Sequence, residues 1–408
     1  MTLVLFRTRR LTLFSALSCH PGVTSEKALA SSVEIRDKHQ GQVVCVTILS
    51  PITVLVASKK EGTMTHHRLA IFVVWLLLPC SVSADPRSDS FLLVANQMEH
   101  SVLLVDPASK QVLATVGVDI NGHEVAVSPD GRFGYVPIYG NTWVGKPGSN
   151  GSTIHVVDLK RSTTVAVIDL GKEVRPHCAH FGPDGLLYVS AELANAIYIV
   201  DTSTRSVVGE IPTGATHSHM FVISADGRRI YTANNEAGSV SVLDLPARTL
   251  IATIPISKKV QRVSISPDGR FVFTQDQETP RIVVIDTVAN TVVRSISLPR
   301  IPFSSAVTRD GRWLLVNSES GKLFVVDLAN GVVTKTFDTP DVPVLPTPGE
   351  FALSPDGIHA YVSCPQGGTI EILNLKDWKL EQPIHLTKGV DGIAWVPAAG
   401  SSAVSDAR

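Results

Sequence analysis

The sequence predicts an all-β protein, a seven-bladed β-propeller closed by pairing of its C-terminal strand with its N-terminal blade. Two series of short motifs repeat along the chain, most often every 42 residues, and no segment between them has sustained helical periodicity. A repeat of about 40 to 45 residues with four short strands is typical of propeller blades around a central channel.

The first series is a Ser-Pro-Asp-Gly turn between two Val- and Ile-rich runs. Proline fixes φ at the second turn position and glycine accepts positive φ, so the chain reverses there. We therefore predict a structural role for the turn aspartates, which are Asp130, Asp184, Asp226, Asp268, Asp310 and Asp356.

The second series is an apolar strand that ends in Asp and is followed by a polar stretch and another Val-rich strand. It occurs seven times, once for each predicted blade. The residues that end these strands are Asp106, Asp158, Asp201, Asp244, Asp286, Asp327 and Asn374.

The two ends of the repeat region complement each other. Residues 91–97 resemble the second strand of a blade without a first strand before it, and residues 389–397 resemble a first strand with nothing after it. Joined, they complete the seventh blade and remove a free sheet edge.

The N-terminal part of the chain has the layout of a targeting segment. Residues 64–84 contain a short basic start, an apolar run at 69–78 and Val82-Ser83-Ala84, which predicts a secretory signal peptide. The run is too short to span a bilayer. We interpret residues 1–63 as a mis-set start or a non-structural extension; the alternative is a genuine extension with a membrane segment around 43–57.

The rest of the chain is then one domain. We expect a propeller at residues 85–400, a disordered tail at 401–408, and a periplasmic or secreted product without a membrane span. Only Cys178 and Cys364 lie in this mature part, and their spacing does not require a disulfide.

The charge balance excludes one class of partner. The chain has 36 Lys and Arg against 37 Asp and Glu, so it carries no surplus basic field for nucleic acid. We expect a small molecule or a periplasmic protein as the partner.

Histidines recur in register before the turns. The residues seven positions before the turn aspartates are His123, His177 and His219 in three successive repeats, followed by Gln261, Phe303 and Gly349. First strands line the channel, so these positions converge at one mouth. The predicted ligand-binding residues are His123, His177, His219, Arg262, Glu350, Tyr139 and Trp143, the last two from the long loop at 138–153.

Imidazoles from neighbouring inner strands can approach one ion. This predicts a copper, iron or zinc site with candidate ligands His123, His177, His180, His217 and His219, to which Cys178 could add a thiolate. The alternative is a polar, water-filled mouth whose histidines hydrogen-bond backbone or a ligand.

The repeat resembles the YVTN β-propeller family. Residues 231–244, YTANNEAGSVSVLD, nearly spell the family repeat, and residues 188–201 are a looser copy. The resemblance covers residues 91–397 and implies a propeller, with binding, surface or redox-accessory roles in exported proteins.

A weaker resemblance is to the seven-bladed lactonases related to 6-phosphogluconolactonase. Residues 175–193 resemble their Pro-His strand, Tyr-Val strand and Glu-Leu pair, which implies that His177 and Glu192 are catalytic. The sequence departs from the lactonase pattern at Ser218-His219, where those enzymes carry Arg-His, and at Glu236, which is one residue out of phase.

Three functions follow from these patterns. The first is an exported propeller that binds a small ligand or a partner protein at a His-rich channel mouth. The alternatives are a metal-dependent periplasmic redox enzyme or accessory protein, and a lactonase-like hydrolase.

Overall fold

The computed structural model describes residues 31–37, 42–50, 53–60, 63–66, 90–142, 144, 146–340 and 349–398. The chain divides into two compact units, residues 1–84 and 85–408. Trp143, the tail at 401–408 and residues 67–84 of the signal segment lie outside the described residues, so signal cleavage remains a prediction.

The N-terminal unit contains one antiparallel sheet in the order β1-β2-β3-β4. Its strands are β1 (Ser31–Asp37), β2 (Gln42–Ser50), β3 (Thr53–Lys60) and β4 (Thr63–His66). In the part of the chain that the structure describes, no helix is long and apolar enough to cross a membrane.

The second unit is the predicted seven-bladed propeller, and each blade is an antiparallel sheet numbered here from the blade that contains both ends of the ring. Blade 1 contains, from the channel outward, β33 (Val390–Val396), β5 (Phe91–Asn96), β6 (Ser101–Asp106) and β7 (Gln111–Gly117). Blade 2 contains β8 (Ala126–Val127), β9 (Phe133–Ile138), β10 (Thr153–Asp158) and β11 (Thr163–Asp169). Blade 3 contains β12 (Pro176–Phe181), β13 (Leu187–Ala191), β14 (Ala196–Asp201) and β15 (Ser206–Pro212), with a 3-10 turn at Glu192–Ala194.

The remaining four blades continue the same order. Blade 4 contains β16 (Ser218–Ile223), β17 (Arg229–Asn234), β18 (Ser239–Asp244) and β19 (Thr249–Pro255). Blade 5 contains β20 (Val260–Ile265), β21 (Phe271–Asp276), β22 (Arg281–Asp286) and β23 (Thr291–Ser297). Blade 6 contains β24 (Pro302–Val307), β25 (Trp313–Ser318), β26 (Lys322–Asp327) and β27 (Val332–Asp338). Blade 7 contains β28 (Phe351–Leu353), β29 (His359–Cys364), β30 (Thr369–Asn374), β31 (Lys379–Leu380) and β32 (Ile384–His385).

The ring closes as predicted. The last strand, β33, pairs antiparallel with β5, and the register runs from Val390 opposite Asn96 to Val396 opposite Phe91. Each inner strand also contacts the inner strand of the next blade all the way round the channel.

The hydrophobic core lies between blades. Seven clusters of buried side chains fill the seven interfaces, so that each blade packs against both of its neighbours. The inner three strands of the blades are largely buried, whereas the outer strands alternate between exposed and partly buried residues. This alternation follows from the period of two in a strand with one solvated face.

The turn aspartates have the predicted structural role. In blade 5, Ser266 donates its hydroxyl to Asp268 at 2.5 Å, and the backbone N–H of Arg270 donates to the same carboxylate oxygen at 3.0 Å. The following Gly269 has φ +69°, which an L side chain rarely adopts. The turn that contains Asp184 begins with Gly182 and so has no serine hydroxyl. There the Tyr188 hydroxyl donates to the aspartate at 2.8 Å instead.

The outer edge of blade 7 departs from the repeat. The other six blades each have one seven-residue outer strand, whereas here that strand is split into β31 and β32. Pro383 lies in the gap between the two pieces and has no N–H to donate to the ladder.

Candidate functional site

The three histidines that the repeat register predicts converge at one end of the channel. The ring centroids of His123 and His177 are 4.5 Å apart, and those of His177 and His219 are 3.8 Å apart. All three side chains are buried. Neighbouring inner strands therefore bring residues 54 and 42 positions apart into direct contact.

The backbone before each histidine has the same conformation. Two positions earlier, Asn121, Arg175 and His217 have φ of +61°, +51° and +53°. Such left-handed backbone is uncommon outside glycine and costs free energy, so it persists where the surrounding structure imposes it. The shared turn directs all three imidazoles to the same end of the channel.

Tyr139 and Glu192 complete the cluster. The Tyr139 hydroxyl lies 2.9 Å from both carboxylate oxygens of Glu192, and His219 Nδ1 lies 3.0 Å from Glu192 Oε2. The Tyr139 ring stacks on His123 with centroids 5.4 Å apart. We call His123, His177, His219, Tyr139 and Glu192 the His cluster.

Burial sets the charge state of the cluster. It lowers the pKa of His123 to about 3, with smaller electrostatic contributions from the neighbouring His219 and Arg262, and it also places the pKa of His177 well below its usual value. Burial alone would raise the pKa of Glu192, but its interaction with His219 and its hydrogen bond from Tyr139 hold the pKa below its usual value. At neutral pH the site thus combines two neutral imidazoles with a buried carboxylate.

Sequence reasoning missed Arg175, the residue that joins this cluster to the long loop of blade 2. Its guanidinium lies 3.7 Å from Glu192 Oε1 and donates to Asn150 Oδ1 at 2.7 Å and to the Lys146 carbonyl at 2.8 Å. It also lies 5.8 Å from the centre of the Tyr139 ring. The sequence feature that could have identified Arg175 is its position directly before the Pro-His pair at 176 and 177.

Arg262 and Glu350 lie together in a separate ion-pair network. The Arg262 guanidinium contacts Glu350 and lies 3.4 Å from Glu124 Oε1 and 3.9 Å from Asp391 Oδ1. Asp391 was missed because the last repeat has no Ser-Pro-Asp-Gly turn from which to count. It nevertheless lies 42 residues after Gly349, in the same register as the histidines.

Other predicted residues lie outside the His cluster. His217 is partly exposed, and its Nδ1 lies 3.0 Å from Glu236 Oε2. His180 lies further along β12, where its Nε2 is 3.3 Å from Cys178 Sγ.

A small cavity lies in the channel beside these groups. It is lined by His180, Met220, Phe221, Arg262, Ser304 and Glu350 among others, and the space open to the centre of a water molecule is about 20 Å³. That volume holds one or two waters.

Comparison with known proteins identifies one sequence family. The cytochrome D1 heme domain matches residues 181–303, which is under a third of the chain. No curated protein matches the sequence significantly.

Three solved structures share the fold. Hydrazine synthase of Kuenenia stuttgartiensis is 21% identical, with a TM-score of 0.59 over 70% of this chain and 92% of that one. A functionally unknown protein from Desulfotomaculum acetoxidans is 16% identical, with a TM-score of 0.62 over 75% and 99%. The periplasmic gluconolactonase PpgL of Pseudomonas aeruginosa is 18% identical, with a TM-score of 0.60 over 76% and 99%.

The described residues do not fit a heme. Imidazole nitrogens of His123 and His177 are suitable axial ligands, but these two rings pack edge to face with centroids 4.5 Å apart, and His177 also lies 3.8 Å from His219, so the imidazoles themselves fill the space beside one another that a porphyrin would need. Within the described ranges, no group of three or more His, Cys, Asp or Glu side chains is arranged to hold one metal ion. We therefore derive no step through a heme.

Proposed function

We propose that the His cluster binds a small polar ligand at the end of the channel. One observation carries this proposal: the buried atoms His123 Nε2 and His177 Nδ1 have no hydrogen-bond partner among the described residues. Leaving a buried polar atom unsatisfied costs about 1 to 3 kcal/mol. A ligand that supplies hydroxyl or carbonyl groups would recover that free energy.

The charges of the site favour a neutral ligand. His123 and His177 are uncharged at neutral pH, while Glu192 is ionised. The guanidinium groups of Arg175 and Arg262 are already engaged by carboxylates. A neutral cyclic polyol or lactone, whose hydroxyl and ring oxygens can donate and accept, suits such a site better than an anion does.

The first experiment measures ligand binding by isothermal titration calorimetry. The probe is 1,5-anhydroglucitol, a stable neutral analogue of a sugar lactone, and gluconate is the anionic comparison. We expect the neutral probe to bind more tightly than gluconate, and H177A to weaken its binding by roughly two- to twelvefold, as the loss of one hydrogen bond of about 0.5 to 1.5 kcal/mol predicts.

The matched control is His359, which lies 3.2 Å from Glu381 on the outer part of blade 7. H359A should bind the probe as the wild type does. Equal affinity of H177A and wild type, or no binding of neutral polyols at all, would contradict the proposal.

Lactone hydrolysis is the second candidate, because Glu192 and His219 form a buried carboxylate–imidazole pair. In the tautomer whose Nδ1–H donates to Glu192, the other ring nitrogen of His219, Nε2, can accept a proton. In this arrangement His219 would act as general base and activate a water for attack on the lactone carbonyl, whose ring oxygen then leaves with a proton. The sequence resemblance paired Glu192 with His177, whereas the imidazole that contacts the Glu192 carboxylate is that of His219. The shared fold with a gluconolactonase adds support.

Hydrolysis of glucono-1,5-lactone, followed by acid release at constant pH, tests this candidate. H219N should lower the enzymatic rate by about 100-fold or more, as expected for loss of a general base. If H219N hydrolyses the lactone as fast as the wild type does, or if the wild type does not exceed the spontaneous rate, hydrolysis at this site is eliminated. The binding proposal would still stand.

Export to the periplasm is part of the proposal and rests on the signal-like residues 64–84. The metal-dependent redox alternative and a protein partner rest on the sequence patterns alone. Elemental analysis of the purified protein would test the metal-dependent alternative directly.

A further inference from the structure

Cys178 and His180 bring a thiol and an imidazole together on one face of β12. Both side chains face blade 4, where the Phe221 carbonyl oxygen lies 3.7 Å from Cys178 Sγ and the Phe221 ring packs against His180. Cys178 Sγ lies 3.3 Å from His180 Nε2. Sulfur and nitrogen ligands of one three-coordinate ion, at about 2.3 and 2.0 Å and an angle of about 120°, lie about 3.7 Å apart. The observed spacing therefore suits a shared ion after a shift of a few tenths of an ångström.

Met220, from the neighbouring blade, is the candidate for a third soft ligand. Met220 and Cys178 belong to the same buried cluster between blades 3 and 4. Met220 and His180 line the same small cavity in the channel. The Phe221 ring packs edge-on against His180 with centroids 5.1 Å apart, which fixes the imidazole beside the sulfur.

The chemical type of the three candidate ligands indicates which metal ion they would bind. Thiolate and thioether ligands favour Cu(I), whereas Mg²⁺ and Ca²⁺ require oxygen ligands. A thiolate neutralises the single positive charge of Cu(I), so the bound pair avoids the cost of burying a net charge in apolar surroundings.

We propose that Cys178, His180 and Met220 form a Cu(I) site in the channel. On binding, the Cys178 S–H bond breaks, the S–Cu bond forms, and one proton is released to solvent, with no change in oxidation state. His180 Nε2 and the Met220 sulfur complete a three-coordinate ion. The site uses none of the His cluster residues, and so it does not depend on the proposed ligand.

The experiment titrates Cu(I) into the purified full chain under anaerobic conditions, with bathocuproine disulfonate as the competing chelator. We expect the wild type to retain one Cu(I) against the competitor. C178S and M220L should each lower the apparent affinity by at least about tenfold, since removal of a ligand costs no less than loss of a supporting contact.

Cys364 provides the matched control, because it is also a buried cysteine of the propeller. C364S should bind Cu(I) as the wild type does. Thermal denaturation of each variant without copper separates loss of the site from loss of the fold, and M220L conserves the apolar volume of the cluster.

An ultraviolet thiolate-to-copper charge-transfer band that appears in wild type and C364S but not in C178S would support the assignment. Equal Cu(I) retention by C178S and wild type would overturn it, as would a wild type that yields all its copper to the competitor. The second outcome would leave Cys178 and His180 as a hydrogen-bonded pair only.

Discussion

At the residue scale, the end of the channel is lined by polar side chains whose burial costs free energy. His123 and His177 are neutral because burial penalises their charged forms, and Glu192 stays ionised because His219 and Tyr139 hold it. The histidine positions were predictable from the repeat register. The partners of Glu192 were not, since the resemblance to lactonases paired it with His177 and the geometry pairs it with His219.

The neutral histidines predict a loss of stability in mild acid. An unfolded chain protonates His123 near its ordinary pKa of 6.5, whereas the folded chain does so only at about 3. The unfolded state therefore binds more protons in this window, and the free energy of unfolding falls as the pH drops from 6.5 towards 3, by up to about 1.4 kcal/mol per pH unit for one such group.

Urea denaturation at about pH 7 and about pH 5 measures this effect, in a range above the usual titration of carboxylates. H123N should lose less stability between the two pH values than the wild type does. The exposed His100 serves as control, and H100N should keep the wild-type difference. An identical difference in H123N and wild type would show that His123 is not buried in its neutral form.

At the element scale, most strands could be placed from the sequence because their two bounding motifs recur in every repeat. The exceptions have local causes. The inner strand of blade 2 is reduced to Ala126–Val127, and the outer strand of blade 7 is interrupted at Pro383. Neither departure changes the position of the motifs, so neither is visible in the repeat.

The closing strand β33 should be indispensable for the ring. It contributes the buried residues Val390, Ile393, Ala394 and Val396 to two blade interfaces. Each large buried apolar side chain contributes about 1.5 to 3 kcal/mol, so their joint loss approaches the roughly 5 to 15 kcal/mol of a whole domain.

Truncation after Lys388 should thus abolish the cooperative thermal transition and make the chain sensitive to limited proteolysis. Truncation after Ala398, which leaves β33 in place, is the control and should behave as the full chain. A truncated protein that keeps the cooperative transition would contradict closure through β33.

At the scale of the whole molecule, the propeller is held together by seven interfaces that share no single central core. Every blade is packed on both sides, and no blade lies at a free end. Damage to one interface should therefore lower the stability of the entire ring.

Substitution of Ile197, a fully buried residue between blades 3 and 4, tests this coupling. I197A should cost about 2 to 5 kcal/mol. The readout is the labelling rate of Cys364, which lies in blade 7, mapped by mass spectrometry. The rate should rise with the loss of global stability, and a rate unaffected by I197A would show that the blades unfold independently.

The sequence by itself determined the number of blades, the closure of the ring and the register of His123, His177 and His219. It did so because each blade repeats the same turn and strand-ending motifs, and equal spacing places equal positions at the same depth in the channel. Only the tertiary structure decided that Glu192 binds His219 and Tyr139, and that Arg262 meets Glu124, Glu350 and Asp391. Those contacts join residues up to 138 positions apart across a closed ring, and no periodic pattern records which side chains meet across a channel.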